Sequence, residues 1–115
     1  MAGATFNPNA FAGANSTSVV ALAAAGGAVN ALNGSVVTYT PDADATLTAA
    51  VAPAGSEVSL IVLTSGTTSY TITFGTGFKS TGTLATGTTT ARTFVVRFVS
   101  NGTAMLEVSR TTAMA

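Results

Sequence analysis

The sequence predicts an all-β fold, an antiparallel β-sandwich or jelly-roll-like barrel with an extended N-terminal arm, and three observations carry that expectation. From Ser35 onward, short runs of β-branched and aromatic residues alternate with Gly, Pro, Asn and Asp, the pattern of strands joined by tight turns. Residues 1–34 are instead almost wholly Ala, Gly, Asn, Ser and Val, side chains too small to enclose a core. A chain of 115 residues is about the size of one ordinary domain and can bury roughly two-thirds of its unfolded surface. The expected organisation is therefore an arm over 1–34 and a β-domain over 35–115.

In the arm, Phe6 and Phe11 are the only large side chains before Val19. Such a segment is either a disordered terminus or an arm that a neighbouring subunit holds. Ala24 to Val29 reads equally as a short helix or a strand. Val36 to Thr40 reads as a strand closed by Pro41, which has no N–H for a ladder. In Thr46 to Val51, Leu47, Ala49 and Val51 share one face, and Pro53 and Gly55 make the next turn. Val58 to Leu63, apolar but for Ser59, suits a central strand covered on both faces. Tyr70, Ile72 and Phe74 point one way while Thr71 and Thr73 point the other.

The last hairpin joins Thr93–Val99 to Ala104–Ser109 through Ser100-Asn101-Gly102-Thr103. A two-residue Asn-Gly loop pairs Phe98 with Met105 and Val96 with Glu107, placing an acid on the aromatic face. A three-residue loop with Gly102 left-handed pairs Phe98 with Ala104, Val96 with Leu106 and Phe94 with Val108, which keeps that face apolar. The second register is the expectation. Its other face carries Val95, Arg97, Val99, Met105, Glu107 and Ser109, with Arg97 diagonal to Glu107 and able to pair weakly with it.

Charged residues make up 7% of the chain, against about 25% in an ordinary soluble domain. Their place is taken by Thr, Ser and Asn, and the net charge is zero, so little repulsion keeps copies apart. The bases Lys79, Arg92, Arg97 and Arg110 form no stripe, so no nucleic-acid partner is expected. Cys is absent, which removes disulfides and thiolate metal sites from the stabilising repertoire. The first 18 residues hold no Lys or Arg, and the run Val19 to Leu32 is about 14 residues long against the ~20 that a spanning helix needs. Neither a secretory signal nor a membrane partner is expected.

The residues for common chemistry are missing. His and Cys are both absent, so acyl transfer lacks a base of suitable pKa. A Ser–Lys pair would have to use Lys79, the sole lysine, in a Gly/Thr-rich segment. Glycoside hydrolysis needs two carboxylates across a sugar; Asp42 and Asp44 share one turn, while Glu57 and Glu107 are each isolated. The two aspartates offer Ca²⁺ only part of the six to eight oxygens it takes, and Asp is a favoured turn residue in its own right. Gly75-Thr76-Gly77-Phe78-Lys79-Ser80 lacks the glycine spacing of a phosphate loop. The sequons at Asn15, Asn33 and Asn101 have no secretory signal beside them. Thr-x-Thr steps at Thr38/Thr40, Thr46/Thr48 and Thr71/Thr73 have no fixed period, which an ice-binding array requires. No catalytic residue, cofactor or metal is expected, and the chain reads as non-enzymatic.

Gly75-Thr76-Gly77-Phe78-Lys79-Ser80-Thr81-Gly82-Thr83-Leu84, then Phe98-Val99-Ser100-Asn101-Gly102-Thr103 and Glu107-Val108-Ser109-Arg110-Thr111, carry a resemblance over about half the chain, chiefly through turn chemistry. The segment resembles small β-rich structural proteins of tailed bacteriophages, head decoration (cement) proteins or fibre-associated modules. The resemblance implies a virion protein on the outer surface of the capsid, assembling as a homotrimer and binding the major capsid protein. A tail or fibre protein that binds a host receptor is the alternative. Attachment by many modest contacts is strong collectively, and an arm of small residues suits strand addition to a neighbour's edge. The expected assembly interface is Phe6, Phe11, Val19, Val20 and Leu22 in the arm, with Val95, Arg97, Val99, Met105 and Glu107 on the last hairpin.

Overall fold

A computed structural model describes residues 19–30 and 36–115. The described chain is all-β, with ten strands in two mixed sheets and no helix. Strands β1 (Val19–Ala21), β3 (Val36–Tyr39) and β5 (Glu57–Leu63) lie in one sheet, and β2 (Ala28–Asn30), β4 (Ala45–Ala50) and β6 (Thr71–Phe74) in the other. The chain thus steps from one sheet to the other and back, and each strand pairs parallel with its counterpart in the next rung. Three such rungs make a β-solenoid-like arrangement.

The rest of the chain closes this stack. Strand β7 (Phe78–Lys79) returns to the first sheet and β8 (Leu84–Ala85) to the second, while β9 (Thr93–Ser100) and β10 (Met105–Arg110) form a hairpin. The six-stranded sheet has the order β1-β3-β5-β9-β10-β7, and the four-stranded sheet β2-β4-β6-β8. Strand β9 runs antiparallel to β5, which ends the parallel progression.

This connectivity replaces the antiparallel sandwich or barrel that the sequence predicted. Parallel strands need a crossover between them, and here the crossover is a strand of the opposite sheet. Pro41–Asp44 and the turn at Pro53–Gly55 change sheets instead of making hairpins. Alternation was nonetheless a sound guide to faces. Val37, Tyr39, Val58, Leu60, Val62, Phe94, Val96 and Phe98 from the first sheet meet Val29, Leu47 and Ile72 from the second in one core. Ala24 and Ala25 form a turn before β2, so neither open reading of Ala24–Val29 applied to that whole segment. The stretch assigned to an arm is divided: residues 19–30 are the first rung, and Phe6 and Phe11 lie outside the described residues.

At the junction of rungs and closing block, Gly77 has φ of +92°, and a Cβ there would collide with the carbonyl oxygen of Ala49. Its own carbonyl accepts the Met105 N–H at 2.8 Å. Phe74, Phe78 and Phe98 meet just inside, with ring centroids 4.7 to 5.5 Å apart. Gly75-Thr76-Gly77 is thus a close-packed seam, where glycine is required by backbone proximity.

Candidate assembly surface

Each strand of the six-stranded sheet alternates between the core and an outward face. The pairing places Val19, Val36, Ser59, Arg97 and Ser109 in one outward row, and Ala21, Thr38, Ile61 and Val95 in the next. Glu57, Val99 and Leu106 form a third row, with Lys79 at the β7 edge. Leu63 extends the face toward Thr93 and is 38% exposed. Val36, Ile61, Val95, Val99 and Leu106 are partly exposed. The result is a largely β-branched face, interrupted by Ser59, Arg97 and Ser109, that no described residue covers as a second layer.

At its centre the Arg97 guanidinium donates from Nη2 to Glu57 Oε1 at 2.6 Å, with the two side chains 51% and 58% exposed. A pair this open contributes about 0–1 kcal/mol, because water screens it. Arg97 therefore pairs across β5–β9, where the sequence predicted a diagonal contact with Glu107.

Glu107 does something different. Strand β10 carries a bulge opposite Arg97/Phe98, and the register runs Phe98 with Glu107, Val99 with Leu106 and Ser100 with Met105. Neither proposed loop has this register; the connection is Asn101–Ala104, with the Asn101 Oδ1 accepting the N–H groups of Thr103 and Ala104. Gly102 is left-handed, at φ of +89°, as predicted. Glu107 consequently faces inward, its side chain only 3% exposed. It accepts Arg110 Nε at 2.7 Å and Nη2 at 2.8 Å, and both the N–H and the hydroxyl of Thr81. These hydrogen bonds, Arg110's first, hold its carboxyl below the usual carboxylate range although burial opposes them. Arg110 also binds the Gly82 and Thr83 carbonyls and lies 5.7 Å from the centre of the Phe74 ring.

Of the expected interface residues, Val19, Val95, Arg97 and Val99 stand on the open face. Val20 pairs with Val37 on the core side, and Leu22 packs against the core. Met105 is 1% exposed and Glu107 is enclosed, so neither stands on the open face. Glu57, Ile61, Leu63 and Leu106 also stand on the open face and were missed. For Glu57, Ile61 and Leu63 the signal lay in β5: it is a central strand, as expected, yet only its Val58–Leu60–Val62 side is covered.

The outer face of the other sheet is hydroxylic. Asp44, Ala45, Thr46, Thr71 and Thr73 line a shallow trough of about 270 Å³. Asp44 Oδ1 accepts the Thr71 N–H at 2.8 Å, a contact between rungs and not the local bond expected of a turn residue. Thr46 stands opposite Thr73, but Thr71 lies beyond Ala45 in the register, so the two Thr-x-Thr steps are out of alignment. Among the described residues no group of three His, Asp or Glu could hold a metal ion, and no helix is long and apolar enough to cross a membrane. The chain matches no known family model, no curated protein and no solved structure.

Proposed function

We propose that the chain is a non-enzymatic virion structural protein, a capsid decoration or cement protein that binds a bacteriophage head lattice and bridges neighbouring capsid subunits. The observation that carries this reading is the uncovered β-branched face of the six-stranded sheet. Exposed apolar patches rimmed by polar residues are costly in a free monomer and mark surfaces that meet other proteins. The low charge of the chain supports the same reading, since it leaves little repulsion between closely packed copies. The resemblance adds the setting: a homotrimer on the outer surface of the capsid, with the major capsid protein as partner. Labelling the chain in purified particles and imaging them should place hundreds of copies on the head. Label confined to the tail would discard the decoration reading.

A second reading has its own observation. The trough at Asp44, Thr46, Thr71 and Thr73 offers a carboxylate and hydroxyls, groups that hydrogen-bond polyols. This supports a tail or fibre-associated module binding a host surface glycan, and the same imaging separates the two.

A further inference from the structure

The open face has a charge pattern that points to its occupant. Away from the β7 edge, which carries Lys79, its charged groups are Glu57 and Arg97, diagonal to each other on adjacent strands and each about half exposed. Around them lie Val36, Ile61, Val95 and Val99. We infer that a second copy of this chain docks on this face, with Arg97 of each copy meeting Glu57 of its neighbour. This deepens, and rests on, the reading of the chain as an assembling subunit.

One acid and one base on a face of Val, Ile, Ser and Thr make that face neutral in itself. Where a two-fold or three-fold axis at this face runs across the line joining the two charges, Arg97 of one copy comes against Glu57 of the next. The short contact within a copy uses one Arg97 nitrogen and one Glu57 oxygen. A guanidinium has five N–H donors and a carboxylate about four acceptor sites, so capacity remains for a partner. Association would remove the surrounding valines and isoleucine from water at about 25 cal/mol per Å². It would also strengthen the charge contacts by lowering the local dielectric. A partner with a strong charge of either sign would leave one member of the pair facing its like. A net charge of zero lets like copies approach without a long-range barrier.

The test is the mass of the full chain in solution, by light scattering across a dilution series. The wild type should assemble reversibly, and either a dimer or a trimer supports the inference. Glu57→Arg leaves two positive groups on the face and Arg97→Glu two negative ones. Each variant alone should dissociate about tenfold or more readily, while an equimolar mixture of the two should recover association. Both substitutions fall on half-exposed side chains, and circular dichroism melts verify that each variant is folded. Val95→Lys is the companion variant, which should also lower the assembled fraction. A wild type that stays monomeric at every concentration overturns the inference, as do single variants that assemble normally or a mixture that stays monomeric. A monomer that nevertheless occupies phage heads would overturn this contact and leave the decoration reading standing. Self-assembly without head binding would do the reverse.

Discussion

The three parallel rungs and the block that closes them are held together by different means. In the rungs, Val29, Val37, Leu47, Leu60 and Ile72 stack behind parallel ladders, and the cohesion is apolar and repetitive. In the closing block, Glu107, Arg110, Thr81 and the Gly82 and Thr83 carbonyls form a single polar clamp beside three phenylalanine rings. A rung can be followed by another of its kind, because its strands offer a backbone ladder to the next. Ending the stack takes a particular set of side chains, and β9 running antiparallel to β5 is how this chain does it. The rungs should therefore tolerate apolar substitution, and the closing block should not tolerate loss of its charges.

The sharpest way to break that contrast is Arg110→Met. Glu107 would then sit in its enclosed place without the cation that offsets its desolvation, at a cost of about 3–5 kcal/mol, read as a lower denaturant midpoint. The double variant Glu107→Leu/Arg110→Met should recover much of this, since replacing both members of a buried pair is often neutral. Acidity tests the same clamp. Because the folded-state carboxyl is held below its usual range, its contribution is present above the unfolded value of about 4.3. It fades as pH falls through the folded value. Stability of the wild type should drop along that acid limb, and the double variant should show a flatter one. An unchanged limb would mean that Glu107 is not held as the structure has it.

Next in size is Gly77→Ala, at the seam between the two regions. A left-handed backbone costs a non-glycine residue about 1–2 kcal/mol, and the collision with the Ala49 carbonyl adds to that. A loss of about 2 kcal/mol or more is expected in thermal or denaturant unfolding. Gly55→Ala is the control, with nothing near its Cβ position, and should lose only the backbone part.

The same contrast explains what the sequence revealed. Strand positions and inward faces were legible, because alternation at Leu47, Val58–Val62 and Ile72 reports which side is buried whatever the partner strand. Pairing was not, since parallel and antiparallel strands share that period and nothing local in Pro41–Asp44 says whether the chain reverses or changes sheets. The hairpin register failed for a different reason. The sequence argues against an acid on the aromatic face, where the two-residue loop puts Glu107 opposite Val96, yet Arg110 stands three residues beyond Glu107. In a regular strand those two residues would face opposite sides. The bulge adds one residue and turns both inward, so the compensating cation is visible only once the bulge is known. On the open face, Ile61 and Leu63 were legible as apolar, but an uncovered face cannot be told from a covered one by sequence pattern alone.

The smallest effect is expected in the rungs, and its sign is the opposite. The Tyr39 hydroxyl is buried and has no hydrogen-bond partner among the described residues. Burial, with the nearby Asp42 charge second, pushes its pKa above the ordinary value, so the group stays neutral and contributes no charge-assisted bond. An enclosed hydroxyl without a partner costs about 1–3 kcal/mol of desolvation, whereas the ring fills its place against Leu47 and the turn at Gly26. Tyr39→Phe keeps the ring and removes the cost, so the variant should be more stable than the wild type by about 1 kcal/mol. Urea unfolding of the two proteins side by side measures this. If the phenylalanine variant proves less stable, the hydroxyl is bonded in solution, and the rungs hold a polar contact of the kind that otherwise belongs to the closing block.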